Sequence, residues 1–289
     1  MMGGTFRGRA REEGNAPSSV QAPTSDFAAR IGVYLFGLMS AAAGIIDIIW
    51  REFEPYHQPL QAIGSHIADV KVVVYIGAFG LIAGGGAMLT RRATRYGAAT
   101  LAIIYSAFAI ATLRRFYTAP HYLGNHPSVY IGVFDTFGTQ LILVIAALIV
   151  YSSRSPRSAL SGTIAQIARW AFGICAIDFG LAHLTGINGV AAMIPAWMPL
   201  GGVFWTVVSG VAFVLAGIGI VSGLLDILAA RLLALMLLIF SFIVLAPLIF
   251  AAPHNQVSWG ANVYNLTAVA SAWITAEWLA TQRMSSQAR

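Results

Sequence analysis

The chain has 289 residues, of which 58% are apolar and only 10% charged, and its formal net charge is +6. A soluble domain carries roughly 25% charge, so this balance excludes an ordinary water-soluble fold and points to an all-α polytopic membrane protein. Its one cysteine, Cys175, excludes internal disulfides, dithiol redox chemistry and Cys-rich metal or iron–sulfur sites; on an apolar face it reads as a small core residue.

Residues 1–27 are polar and rich in Gly, Pro and Ser, a composition that predicts a disordered tail. The tail has no apolar stretch before a small-residue cleavage site, so it is not a signal peptide and the first span is an uncleaved anchor. Eight apolar segments follow, near 31–50, 72–90, 97–115, 129–151, 167–185, 203–224, 227–250 and 261–281. Each is close to the roughly 20 residues that cross a hydrocarbon core. The shortest break, "GLLD" at 223–226, separates the sixth from the seventh. Arg51, Lys71, Arg114 and Arg115 fall on one side of the membrane and every other basic residue on the side of the termini. The positive-inside rule then makes both termini cytoplasmic, in the inner membrane of a bacterium or archaeon. Insertion and anionic lipid headgroups account for the basic balance, with no nucleic-acid partner.

The segments read as a tandem repeat of a four-span unit, over 28–153 and 154–289. Ala119-Pro120-His121 closes the third span and Ala252-Pro253-His254 the seventh, Asp47 matches His183, and Asp135 matches Asn265. An even number of spans makes the units parallel repeats about the membrane normal. Gly80 with Gly84, and Ala176 with Gly180, have the spacing of close helix packing. "GGG" at 84–86 lies inside an apolar span with no strand before it, so it is no phosphate loop.

The histidines His57, His66, His121, His126, His183 and His254 all fall on the outer side in this topology. Imidazole ligates metals and haem and exchanges protons near neutral pH, so His121, His183 and His254 are candidate ligands for a metal, haem or quinone; bonding to loop carbonyls is the plainer role. His183 and His254 are expected to meet beneath the "IPAWMP" loop. Acidic side chains within spans are costly and point to function or pairing. Asp178 is the candidate for handling protons or orienting a ligand, and Asp47 lies near the outer end of the first span. Asp135 is placed to pair with Arg114 and Arg115, and Glu277 with Arg169 or Arg231. Pro195, Trp197, Pro199 and Trp205 form an aromatic belt or one wall of a quinone site.

From residue 167 the text "FGLAHL", "IPAWMPLGGVFWTVVSGVAFVLAGIGIV", "ARLLALMLL" and "SWGANVYNLTAVASAWI" resembles the DoxX family of small membrane proteins. The residues carrying the resemblance are His183, Pro195, Trp197, Pro199, Phe204, Trp205, Gly210, Gly217, Arg231 and Leu232. Family members often have further histidines in the second and third helices, where this chain has Phe213 and "LAPL". The resemblance implies a four-helix membrane bundle associated with quinone-linked respiratory or sulfur-oxidising complexes, and no particular reaction. Three functions stay open: a subunit or accessory of a redox complex with a quinone or metal site near the outer face, a small-solute transporter or channel with Asp178 and Asp135 on its path, and a structural scaffold. Partners are membrane lipids and, under the first, other redox subunits.

Overall fold

The computed structural model describes residues 23–53, 70–153 and 160–287. The expectations for most of the tail, for His57 and His66, and for Arg154 and Arg157 lie outside the described residues. Those described form helices α1 (Pro23–Trp50), α2 (Val70–Met88), α3 (Thr94–Leu113), α4 (Arg115–Leu123), α5 (Pro127–Ser153) and α6 (Leu160–Thr185). Then come α7 (Ile187–Met193), α8 (Gly201–Ser222), α9 (Asp226–Phe240), a π-helical turn (Ser241–Leu245), α10 (Ala246–Ala251) and α11 (Gln256–Gln287). No strand occurs among the described residues. A helix satisfies its own backbone polar groups, which hydrocarbon cannot do.

Seven segments of the described residues are long and apolar enough to cross a membrane, the last being Asp226–Ala251. The 32-residue α11 is more polar than these, and Asn265, Thr267, Ser271, Thr275 and Glu277 along it are buried against other helices.

The "GLLD" break is a well-made corner. Gly223 ends α8 in the left-handed conformation (φ 74), which a glycine adopts without steric penalty. Asp226 opens α9 by accepting the N–H of Ile227 at 2.8 Å, and Arg283 of α11 reaches the same carboxylate oxygen at 2.8 Å.

Two boundaries differ from the sequence expectation. α1 already begins at Pro23, within the expected tail, because proline has no N–H to leave unpaired in a first turn. The Ala-Pro-His tripeptides are not equivalent corners. The chain passes from α3 through helical Arg114 into α4, and Pro120 lies inside that helix. α4 has no buried residue, so the carbonyl that Pro120 leaves unbonded remains near the surface. Ala252-Pro253-His254 instead makes the turn between α10 and α11.

The long helices follow one another around a ring: α1 on α2, α2 on α3, α3 on α5, α5 on α6, α6 on α8, α8 on α9, α9 on α11, and α11 back on α1. α5 and α11 also touch across the middle, pinching the ring into two lobes. Lobe one holds α1, α2 and α3 between α11 and α5; lobe two holds α6, α8 and α9 between α5 and α11. The halves are thus interlocked, since the first helix of each packs on its own second long helix and also on the last helix of the other half.

The tightest seams are built alike in both lobes. In α1 and α2, a Cβ added at Gly37 or Gly85 would come within 3.0 Å of the other's carbonyl oxygen, and one at Gly44 would strike Ala78 O. In α6 and α8 the same holds between Gly173 and Gly217, and at Gly180 against Gly210 O. The interval from Asp47 to His183 also relates Gly37 to Gly173 and Gly44 to Gly180. A second interval relates Gly85 to Gly217 and Ala78 to Gly210.

At the end bearing the termini, Arg231 of α9 donates from Nε (3.2 Å) and Nη2 (2.8 Å) to Glu277 Oε1, as the sequence allowed. The Glu277 side chain is 11% exposed and that of Arg231 45%, so removing the arginine strands a largely buried carboxylate. Arg231→Ala is expected to cost about 2 kcal/mol, and adding Glu277→Gln to recover about half of it. A double-mutant cycle by detergent unfolding measures this; additive losses would refute the coupling.

Candidate functional site

Lobe two holds a partly open cavity of about 260 Å³. Phe172, Ala176, Phe179 and His183 line it from α6 at steps of four, three and four, which is one face of a helix. Asp135, Thr139 and Ile142 do the same from α5, and Tyr264, Asn265 and Ala268 from α11. α9 supplies Leu233, Leu237 and Phe240, and then Leu245, five residues on. The π turn adds the extra residue that brings Leu245 onto this face. Val190 and Met193 of the short α7 close the end away from the termini, and Phe213 of α8 completes the wall.

Lobe one packs aromatic side chains between its helices. There Tyr105 donates its hydroxyl to Ser40 Oγ at 2.8 Å, and both are buried. Edge-to-face contacts join Tyr105 to Phe36 (6.0 Å) and Phe108 (6.3 Å), and Phe108 to Phe53 (5.5 Å). At the intervals given by the glycine seams, Phe36 and Ser40 correspond to Phe172 and Ala176, and Tyr105 and Phe108 to Leu237 and Phe240. Where lobe one has Ser40 and Tyr105, lobe two has Ala176 and Leu237, and both of these line the cavity.

The polar atoms are held in place by the backbone. His183 Nδ1 lies 2.7 Å from Phe179 O, and a carbonyl only accepts, so Nδ1 carries the hydrogen and the neutral ring keeps a lone pair on Nε2. The ring centroid is 5.1 Å from that of Phe213. Asn265 Nδ2 donates to Leu237 O and to Ser241 Oγ, each at 2.7 Å. Thr139 donates to Thr136 O at 2.7 Å, and the Tyr264 hydroxyl reaches Thr139 O at 3.4 Å.

Of the residues singled out from the sequence, the cavity brings together His183 and Asp135, with Asp178 close by. Asp135 makes no ion pair or hydrogen bond among the described residues, and the expected pair with Arg114 and Arg115 does not form. Asp135 faces the cavity, while both arginines are exposed beyond the end of α3. Asp178 lies outside the lining, 8% exposed, within electrostatic reach of Asp135 and with Oδ2 unbonded. Cys175, one turn back on α6, is fully buried and packs at Gly138 of α5. Asp47 is buried in lobe one.

His121 and His254 are exposed and outside the lining, so of these three histidines only His183 faces the cavity. His254 sits in the α10–α11 turn, whereas His183 is tied back along α6 by Phe179 O. No three His, Cys, Asp or Glu side chains gather as metal ligands would among the described residues. Trp197 is 69% exposed and takes no part in the cavity. Trp205 donates Nε1 to Pro199 O at 2.7 Å, and Trp259 does the same to Pro253 O at 2.9 Å, each reaching back six residues to pin the loop before its helix. A smaller cavity of 120 Å³ between α1 and the start of α3 is bordered by Arg30, Tyr34 and Arg91.

The sequence reading missed Asn265 as the clamp on the π turn, together with Tyr264, Thr139 and Leu237. Its available signal was Ser241 and Pro247 inside an apolar run, a polar residue and a helix-breaker that together mark an irregular turn. No protein-family model, curated protein or solved structure matches the chain.

Proposed function

We propose that the chain is a multi-pass membrane subunit or accessory of a redox complex, and that lobe two binds the ring of a quinone-type molecule. The observation that carries this is the lobe-two cavity: apolar walls of phenylalanine and leucine with His183 and Asp135 on them, the composition expected of a site for a lipid-soluble ring with polar substituents. Its 260 Å³ suits a substituted six-membered ring. The likeness of the second half to the DoxX family points the same way.

In this reading α11 is an eighth crossing. Its 32 residues extend about 48 Å, and its polar side chains are buried among helices instead of facing lipid. The matched glycine seams support duplication of a four-span unit, followed by interlocking. Both termini are cytoplasmic, and the cavity lies toward the outer face. With cysteines introduced singly, Ser128→Cys and Asn188→Cys are expected to react with an impermeant thiol reagent added outside cells, and Thr90→Cys to be protected. Labelling of Thr90→Cys alone would reverse the orientation.

The binding test uses the architecture of lobe one. Ala176→Ser with Leu237→Tyr transplants the Tyr–Ser pair into lobe two and is expected to fill the cavity. The wild type should bind a short-chain quinone or its quinol in detergent, and the double variant should bind at least about tenfold more weakly while remaining folded. Absence of binding by the wild type, or equal binding by both, would remove the quinone reading. A second reading, a small-solute transporter, draws on the π turn and Pro247 beside the cavity, since interrupted helices border many transport sites. Solute uptake abolished by the same double variant would favour it.

A further inference from the structure

The hydrogen-bonding groups of the cavity are unequally committed. Both amide hydrogens of Asn265 are engaged, by Leu237 O and Ser241 Oγ. The Thr139 hydroxyl hydrogen is engaged by Thr136 O, that of Tyr264 is directed at Thr139 O, and the Nδ1 hydrogen of His183 is engaged by Phe179 O. What these side chains leave toward a ligand is oxygen and nitrogen lone pairs: Asn265 Oδ1, His183 Nε2 and the Asp135 carboxylate. Only a proton on Asp135 would add a donor.

Neighbouring buried groups show the same excess. Asp178 Oδ2 and Asn262 Oδ1 are buried without a hydrogen-bond partner, and both are acceptors. Asn262 lies one turn before Asn265 on α11. Unpaired buried acceptors are unfavourable, and a ligand that brings hydrogens to the acceptors lining the cavity, His183 Nε2 and the Asp135 carboxylate among them, regains part of that loss.

We infer that the cavity selects ligands that donate hydrogen bonds from an apolar ring, and so takes the quinol, with its two hydroxyl groups, in preference to the quinone, which can only accept. The choice of ligand rests on the quinone reading; the donor preference rests on the committed hydrogens alone. One hydroxyl meets His183 Nε2 and the other the Asp135 carboxylate or Asn265 Oδ1, with the ring against Phe179 and Phe213.

Two probe pairs separate these claims, with the Ala176→Ser/Leu237→Tyr variant as the baseline for partition into detergent. The first pair is 4-butylphenol and its methyl ether, identical in their apolar body but differing by one hydroxyl hydrogen. The phenol is expected to bind about tenfold more tightly than the ether. Equal affinity, a tighter ether, or no binding of either overturns the donor preference. The second pair is a short-chain quinol, kept reduced under anaerobic conditions, and its quinone. A quinol about tenfold tighter supports the inference, and equal or tighter quinone binding overturns it while leaving the quinone reading intact. If the phenol binds in preference but neither quinol nor quinone binds, the donor preference stands and the quinone reading falls. His183→Phe keeps a ring beside Phe213 and removes one acceptor, so it should narrow the phenol–ether ratio; an unchanged ratio would show that His183 does not carry the preference.

Discussion

Gly217→Leu is expected to unfold lobe two at temperatures where the wild type is intact. Gly217 and Gly173 meet backbone to backbone, and a Cβ on either would come within 3.0 Å of the other's carbonyl oxygen. A crowded side-chain tip can rotate away, but a carbonyl fixed in a helix cannot, so α6 and α8 must part along their whole seam. Overpacking typically costs 1–3 kcal/mol, and a backbone-limited crossing belongs at or above the top of that range, at about 3 kcal/mol. Gly85→Leu should lose a similar amount in lobe one, where Gly37 plays the part of Gly173. Gly86 is the internal control. It is the next residue of "GGG", is exposed, and has nothing within 4 Å of where a Cβ would be. Gly86→Leu should change stability by less than about 0.5 kcal/mol. Cys175 is fully buried, so a thiol-reactive fluorophore reports unfolding of each variant without an added label. Equal losses in Gly85→Leu and Gly86→Leu would discard the seam as the source of stability.

How far the sequence reveals this molecule depends on the range of the interaction. The apolar runs mark the helices because span length is a local property, and even the four-residue break at 223–226 was legible. The partner of Glu277 could be narrowed to Arg169 or Arg231 because all three fall at the same end of their spans, and the structure selects Arg231. The seams were only half legible: Gly180 was recognised by its spacing and Gly217 stood out in the DoxX-like text, but Gly37, Gly44 and Gly173 have no local mark distinguishing them from Gly86 or Gly132, which face open space. The ring order was not legible, because helical periodicity shows that a face is buried without saying against what. That gap misdirected the polar residues. Asp135 was matched to Arg114 and Arg115 by level in the membrane, yet its rotation on α5 turns it into the cavity. His121 and His254 were joined by a shared tripeptide, which the structure places in a helix once and in a turn once. The cavity itself is lined by Leu237 and Ala176 where lobe one has Tyr105 and Ser40, and this is visible only once the halves are in register.

Asn265→Asp is expected to be the most damaging isosteric change in the cavity wall. The side chain keeps its shape, but an oxygen replaces the nitrogen that donates to Leu237 O and Ser241 Oγ at 2.7 Å each. The hydrogen bond to Leu237 O is lost and the new oxygen is pressed against that carbonyl oxygen, while the Ser241 hydroxyl can turn to donate to it. A stranded buried group costs about 1–3 kcal/mol and the oxygen–oxygen repulsion adds to it, so a loss of about 3 kcal/mol is expected, with Asn265→Ala intermediate because it removes the bonds without adding repulsion. Ser241→Ala leaves the bond to Leu237 O and should cost about 1 kcal/mol. The consequence for function follows from the π turn. Asn265 bonds α9 at Leu237 and the first residue of the turn, and that turn brings Leu245 onto the cavity face. Asn265→Asp should reduce ligand affinity more than its loss of stability alone explains, since the wall is displaced even in molecules that remain folded. Titration of the folded fraction measures this, and wild-type affinity in Asn265→Asp would separate the clamp from the shape of the cavity.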